Sequence, residues 1–534
     1  MSWILLLALA IRIYACLTNF IINPDGIHYI HQARSIFYGQ WDKLTTCRLN
    51  YVSILPFCIA SVFTFVRDWI VAGRVVTVFF GTATLIPLSF ILRRFFDRTL
   101  SYLTLLLYAL LPVWVNRSAD IVRGPIFWFF LCLGMLYFIR QLDEDKHHEG
   151  YRLDLYLSSI FLLIAAWTRT EGLYAIIVSG IYILLADRGR KMSRFFHFST
   201  PIALIILAGG IGFLFSDSLD PRYLRLDRIA HKLTQFIPIY QDIREQLKVL
   251  ISNSDGRMAE FLHHVRSLVW FMPLSIIFNS IWEAFFYPYA VMYVIGFIGL
   301  RRHLREDRRI GYFLWLSGFS ILVLYVHLLH VWLIFHRFLV ILILPGCIMV
   351  GFGIEHILKY LQQKFRLSTQ NAVKIMAVLI VLFGLSKGLI PRETDKAVFA
   401  QAGRLIAQQK RPDRISPIMA ACSTVYEWVF FYAHLEYPGA QCAADRCNSI
   451  PADYQHMVAD LKASGTQFVL YEEKKWPRET FDLKQAPYKA DFDVLGRWRH
   501  RDTGELILLR LKQPESLLKA FQGQHHHPPG GHDP

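Results

Sequence analysis

The chain has 534 residues, of which 54% are hydrophobic and 15% aromatic, while only 18% are charged. Soluble globular chains carry about 25% charged residues, so this balance excludes an ordinary soluble domain and points to lipid. The formal net charge of +16 does not indicate a nucleic-acid partner, because the basic residues sit in short blocks between apolar runs, where they act as an orientation signal.

The first apolar run, 3–20, has no basic segment before it and no small-residue cleavage site after it, and reads as a retained span rather than a signal peptide. Further runs long enough to cross a bilayer follow at 72–92, 99–115, 125–139, 153–167, 172–186, 198–215, 284–300, 310–330, 338–358 and 373–390. They predict a polytopic α-helical membrane protein with about eleven transmembrane helices. The run 52–66 is short, broken by Pro56 and followed by Arg67 and Asp68, and is read as lying along the interface. One side of the membrane then receives eighteen basic residues, among them Arg93, Arg140, Arg188, Arg301 and Lys359, which makes that side cytoplasmic and the N-terminus with it. A spanning 52–66 keeps those blocks cytoplasmic too, but separates Asp25 from Asp120, Arg169 and Arg337, which otherwise all face outside.

Two outer segments are long, 21–71 and 216–283. Residues 1–390 form the transmembrane domain. From Pro391 the charge rises and the apolar runs shorten. Residues 395–410 read as an amphipathic helix, and 466–471 and 505–511 as strands of a small extracytoplasmic α/β domain over 391–521. The tail 522–534, QGQHHHPPGGHDP, reads as disordered, with histidines able to bind metal adventitiously. Cys16, Cys58, Cys132 and Cys347 lie in apolar stretches as small core residues. In an extracytoplasmic tail, Cys442 and Cys447 can form a disulfide.

Ionisable residues at membrane depth or span ends are costly and mark polar cavities. Asp25, in Asn23-Pro-Asp-Gly-Ile-His-Tyr, either caps the following helix or serves as general base on an acceptor hydroxyl. His28 and His31 follow at helical spacing, as ordinary interfacial histidines or as metal ligands with Asp25. Asp120 is either a loop acid paired with Arg117 or Arg123, or a second acid binding a metal or a sugar hydroxyl. Arg169 and Glu171 form either a pair that fixes a tight outer turn, or a site in which Arg169 reaches a phosphate. His336 and Arg337 either snorkel to headgroups or face the same cavity. Arg12, inside the first span, calls for an inward partner such as one of these acids. No Walker loop, dinucleotide fingerprint or serine-hydrolase elbow occurs in a credible context, so the donor arrives already activated, from the membrane.

The order of these motifs resembles the polyprenyl-phosphate-sugar-dependent glycosyltransferases of the C-type fold, family 39-like, a group that includes protein O-mannosyltransferases and lipid A aminoarabinose transferases. The residues that carry the resemblance are Asp25, Tyr29, Ala33 and Gly39-Gln-Trp41, then Gly73-Arg74, Arg93-Arg94, Leu110-Leu-Pro112, the Arg169–Gly172 turn and Arg337 through Pro345. It covers roughly residues 1–360. Many relatives carry Asp-Glu where this chain has Asp25-Gly26, so only the aspartate carries over, and Asp120 matches the family's second acid approximately. The resemblance implies a juxtamembrane helix at 52–66 and catalytic roles for Asp25 and Asp120. Arg169 and Arg337 would hold the donor phosphate, with Arg12, His28, Tyr29 and Glu171 as further cavity residues. It implies a polyprenyl-phosphate-linked sugar donor, a lipid, glycan or protein acceptor, and a bacterial inner-membrane location, with a divalent metal as an optional cofactor. A transporter or flippase for a lipid-linked saccharide is the alternative, although the halves show no internal repeat. A non-catalytic scaffold is a third reading.

Overall fold

The computed structural model describes the chain except residues 143–149, 187–190, 216–225, 301–306, 422, 444–446, 449, 478, 486–487 and 513–534. The expected tail 522–534, and several of the basic loop residues, therefore lie outside the described residues. The chain divides into two units. One comprises Met1–Asn19 and Asn50–Arg392; the other comprises Phe20–Leu49 and the chain from Glu393.

The first unit is helical, and the apolar runs fall on helices, with 99–115, 284–300 and 338–358 each divided between two. Trp69–Leu92, Lys191–Gly209, Arg308–Val331 and Thr369–Gly388 are long and apolar enough to cross a membrane. Two bent pairs, Arg98–Leu110 with Pro112–Ala119 (50°) and Gly256–Leu268 with Met272–Ala284 (81°), raise that number to six if each is one span. Leu204, Ile205, Ile206 and Leu207 are each more than half exposed, an apolar surface that water would disfavour and lipid would not. Side-chain caps set several helix starts: Asp68 accepts from Val71 N–H, Asp97 from Leu100 N–H and Ser368 from Asn371 N–H. Helix Ile54–Val66 ends at Arg67 in the left-handed region (φ 59°), so it breaks cleanly from the span that follows.

The first bend falls at Pro112, which lacks an N–H and cannot continue the helix hydrogen bonding. Arg12 occupies that break. Its guanidinium is fully buried and donates to the carbonyls of Ala109 (3.0 Å) and Ala8 (2.9 Å) and to Ser118 Oγ (3.3 Å). The expected acidic partner is thus corrected: carbonyl oxygens and a hydroxyl receive the charge, because the kinked helix leaves its last acceptors facing span one. Helices Pro288–Gly299 and Cys347–Phe365 pack closely through Gly296 and Gly353, where a Cβ would collide with the carbonyls of Met349 and Met292. The outer segment expected as a loop at 216–283 is helical where described, over Leu226–Ser252, Gly256–Leu268 and Met272–Ala284. Phe236, Tyr240, Ile243, Leu247 and Leu250 recur there every three or four residues, a helical period that its charge content obscured.

The second unit contains helix Pro24–Phe37, the expected amphipathic helix as Ala397–Gln408, and a five-stranded sheet. Its strands are β1 (Ile418–Ala420), β2 (Cys447–Asn448), β3 (Phe468–Glu472), β4 (Phe492–His500) and β5 (Gly504–Leu511), in the order β2-β1-β3-β5-β4. β1 pairs in parallel with β2 and β3, while β5 runs antiparallel to β3 and β4. β3 and β5 match the expected strands. β4 went unseen because its charged sequence and the register shift between Val494 and Gly496 hide the alternation. Cys442 is bonded to Cys47, not to Cys447. Nearness in sequence suggested the wrong partner; the fold brings Cys47 and Cys442 to a Cα separation of 5.5 Å across 395 residues.

Glu472, at the end of β3, is fully buried and accepts a hydrogen bond from Ser423 Oγ (2.7 Å). Burial pushes its carboxyl up to about 7. A folded-state value above the unfolded one, about 4.3, means that this stabilisation is complete below the unfolded value and is lost as pH rises through the folded one. Glu472→Gln, which keeps a neutral side chain, is expected to stabilise the protein at pH 8 by on the order of 1–3 kcal/mol and to change little at pH 4. Thermal unfolding of the full chain at both pH values tests this; equal effects at the two would show that folding leaves the carboxyl's titration unshifted.

Candidate functional site

In the second unit, Asp25 lies in the first turn of Pro24–Phe37, with Asn23 at the N-cap and Pro24 at the first helical position. It is partly exposed, and its negative charge suits the positive end of the helix dipole. Tyr29 is buried further along the helix. His28 is buried, 3.7 Å from Glu427 Oε2, and burial together with Arg48 holds its imidazole down to about 4. It is therefore neutral at physiological pH, and Arg48 Nη1, 2.6 Å from Glu427 Oε1, is the cation that answers that carboxylate. The ring nitrogens of His31 contact the carbonyl oxygens of Gln441 (2.6 Å) and Lys43 (2.8 Å), so they are not directed to a metal with Asp25 and His28. Among the described residues no three His, Cys, Asp or Glu side chains gather as a metal site.

The helix is anchored within its own unit. Arg34 is fully buried and donates to the carbonyls of Gly439 (2.7 Å), Leu435 (3.1 Å) and Tyr437. Trp428 Nε1 donates to the Ile22 carbonyl (2.8 Å), the Ala440 N–H to Gln40 Oε1 (2.8 Å), and the Cys47–Cys442 disulfide completes the attachment.

In the first unit, Asp120 ends the short helix Pro112–Ala119 and is buried. Its Oδ1 accepts from Asn19 Nδ2 (3.3 Å) and Arg392 Nη1 (3.1 Å), and its Oδ2 from Arg117 Nη1 (3.2 Å) and Arg392 Nη2 (3.4 Å). Arg117 was an expected partner, but Arg123 is not one: it donates to the Thr168 carbonyl (3.0 Å) and lies over the Tyr51 ring (4.6 Å). Arg392 escaped sequence reading, its only signal being a basic residue just beyond the last apolar run. With four donors on two oxygens and two guanidiniums alongside, this carboxylate does not fit a divalent cation.

The Arg169–Gly172 turn is a single 3₁₀ turn, Thr170–Gly172, in which a Cβ at Gly172 would come within 2.6 Å of the Ala166 backbone nitrogen. Arg169 is buried and forked onto Glu171, with Nη2 2.7 Å from Oε1 and Nε 3.3 Å from Oε2. Arg169 and Arg337 are brought together on one ring, each guanidinium 5.5 Å from the Phe338 centroid. His336 turns instead to Glu283, 3.1 Å away. A cavity of about 320 Å³ opens in this unit between the start of Pro112–Ala119 and the end of Thr369–Gly388, with Asn116, Arg117, Glu283, His336, Lys387 and Arg392 among its walls.

No family model matches the chain, and no curated protein matches it. Its structure is similar to ArnT from Cupriavidus metallidurans bound to undecaprenyl phosphate, at 12% identity and a TM-score of 0.59, over 95% of this chain and 98% of that one. It is also similar to the same protein in the apo state, at 13% identity and a TM-score of 0.56 over the same shares. The Archaeoglobus fulgidus oligosaccharyltransferase in complex with Zn and sulfate resembles it at 12% identity and a TM-score of 0.55, over 94% of this chain and 72% of that one. Likeness at such identity is a likeness of fold. The chain has the C-type glycosyltransferase fold, with helices long and apolar enough to cross a membrane.

Proposed function

We propose that this protein is a membrane glycosyltransferase that moves a hexosyl or pentosyl group from a polyprenyl-phosphate donor to a hydroxyl on a lipid, glycan or protein. The observation that carries the reading is the coincidence of that fold, along nearly the whole chain, with an acid at the head of the helix after the first span. In this reading Asp25 takes the proton of the acceptor hydroxyl as its oxygen attacks the anomeric carbon and the carbon–oxygen bond to the phosphate breaks. Arg337 and Arg169 answer the negative charge that develops on the departing phosphate. Asp120 acts through Arg117 and Arg392, and no step passes through a metal there.

The same reading puts the reaction on the extracytoplasmic face of a bacterial inner membrane, with about eleven spans and a cytoplasmic N-terminus. Two observations support that side. The basic blocks favour cytoplasmic loops, and the Cys47–Cys442 disulfide suits an oxidising compartment. Helix Ile54–Val66 has 13 residues, about 20 Å at helical rise, short of a hydrocarbon core of about 30 Å, which favours an interfacial position. Purified protein supplied with a polyprenyl-phosphate sugar should release free polyprenyl phosphate in step with acceptor glycosylation. Movement of the intact lipid-linked sugar across vesicles without release would instead establish a flippase.

A further inference from the structure

We infer that Tyr174 is a positioning residue for Arg337, which it holds through the backbone of the short helix that follows. The inference rests on the reading that Arg337 meets the departing phosphate. It also gives Pro345, the last residue of the motif running from Arg337, a physical role.

From Arg337 the chain turns through Phe338 and Leu339 into helix Val340–Ile343, and then through Pro345 into Cys347–Phe365. Its hydrogen bonds run from the Leu344 N–H to the Val340 carbonyl (3.0 Å) and from the Gly346 N–H to the Leu342 carbonyl (2.9 Å). Between them Pro345 has no N–H, so the Ile341 carbonyl is left without a helical donor. At membrane depth such a group must be satisfied from a neighbouring helix. Tyr174, on helix Leu173–Ala186, does this: its buried hydroxyl donates to the Ile341 carbonyl at 2.9 Å. Ser320 Oγ is 2.7 Å from the same carbonyl, but it is equally close to the Leu316 carbonyl, and its single proton serves one of them. One step on, the Cys347 N–H turns to Leu344 (3.2 Å), and the Tyr108 hydroxyl donates to the Ile343 carbonyl (2.7 Å).

Where Tyr174 lies decides what its bond does. It stands five residues beyond Arg169, and Ile341 stands four residues beyond Arg337. The bond therefore ties together the two segments whose arginines share the Phe338 ring, each guanidinium 5.5 Å from its centroid. Arg169 is the fixed member, buried and forked onto Glu171. Arg337 sits on a turn and is half-exposed, so its place depends on how the backbone beneath it is held.

Full-length protein in nanodiscs is assayed for polyprenyl phosphate release and for thermal unfolding. Tyr174→Phe should lower kcat about tenfold, as a small misplacement does. Donor KM should change little, because Arg337 meets a charge that develops only as the bond breaks. The unfolding temperature should fall as well, since the Ile341 carbonyl loses a donor. Adding Pro345→Ala separates the two effects. It supplies the N–H that proline lacks, so the unfolding temperature should recover while kcat stays low. Recovery of both would show that the carbonyl needs only some donor, and would overturn the positioning role. Wild-type kcat in Tyr174→Phe would overturn it too. Tyr174→Phe with Arg337→Gln should be no slower than Arg337→Gln alone, and multiplied losses would overturn the route through Arg337. Wild-type turnover by Arg337→Gln would instead remove Arg337 from the phosphate. Amide exchange over 337–344 then reads the tie without reference to turnover: faster exchange in Tyr174→Phe upholds it, and exchange equal to wild type overturns it.

Discussion

Replacing Asp25 with asparagine is expected to cut turnover by about 10²–10⁴-fold, the usual contribution of a positioned general base, with little change in KM for the donor. The substitution keeps the shape and removes the proton acceptor. It also removes a charge from the first turn of Pro24–Phe37, which costs about 0.3–1 kcal/mol through the helix dipole, too little to unfold a helix held by Arg34 and a disulfide. Expression, detergent extraction and donor binding should therefore match the wild type. Steady-state release of polyprenyl phosphate measures the loss, and Asp25→Glu should recover part of it. A variant turning over within twofold of wild type would remove Asp25 from the chemistry.

Opening the Cys47–Cys442 disulfide is the second large effect. Loss of a native disulfide typically costs about 2–5 kcal/mol, and here the cost falls on the attachment of the segment that carries Asp25. The bond joins Phe20–Leu49 to the C-terminal module inside one unit, alongside the carbonyl contacts of Arg34 and the Trp428–Ile22 hydrogen bond. Reduction with a phosphine, or Cys47→Ser with Cys442→Ser, should increase amide exchange over 24–37 and lower turnover together, with reoxidation restoring both in the wild type. Exchange that stays slow after complete reduction would show that the Arg34 contacts suffice. The effect gives the C-terminal module a concrete task, that of holding Phe20–Leu49.

How much of this was legible depends on the range of each interaction. The apolar runs fall on helices because span length and burial are properties of contiguous sequence. The Arg169–Gly172 turn was legible for the same reason: ion pair and turn lie within four residues. The helical content of 226–284 was not legible as spans, because its three-to-four period runs through a stretch too charged to form a long apolar run. β4 was missed because a register shift interrupts the alternation on which strand reading depends.

The amino-acid order by itself marked the apolar runs, four of which lie on helices long and apolar enough to cross a membrane, and supplied the motifs that resemble the C-type glycosyltransferases. Only the tertiary structure decided the partners of the buried charges. Arg12 meets carbonyls at a proline bend; Asp120 meets Arg392, 272 residues away; Cys47 meets Cys442. The physical reason is that hydrophobic transfer acts on a stretch of chain, whereas an ion pair or a disulfide needs two specific atoms within a few ångströms. Closeness of that kind is fixed by packing and leaves no periodic trace in the chain.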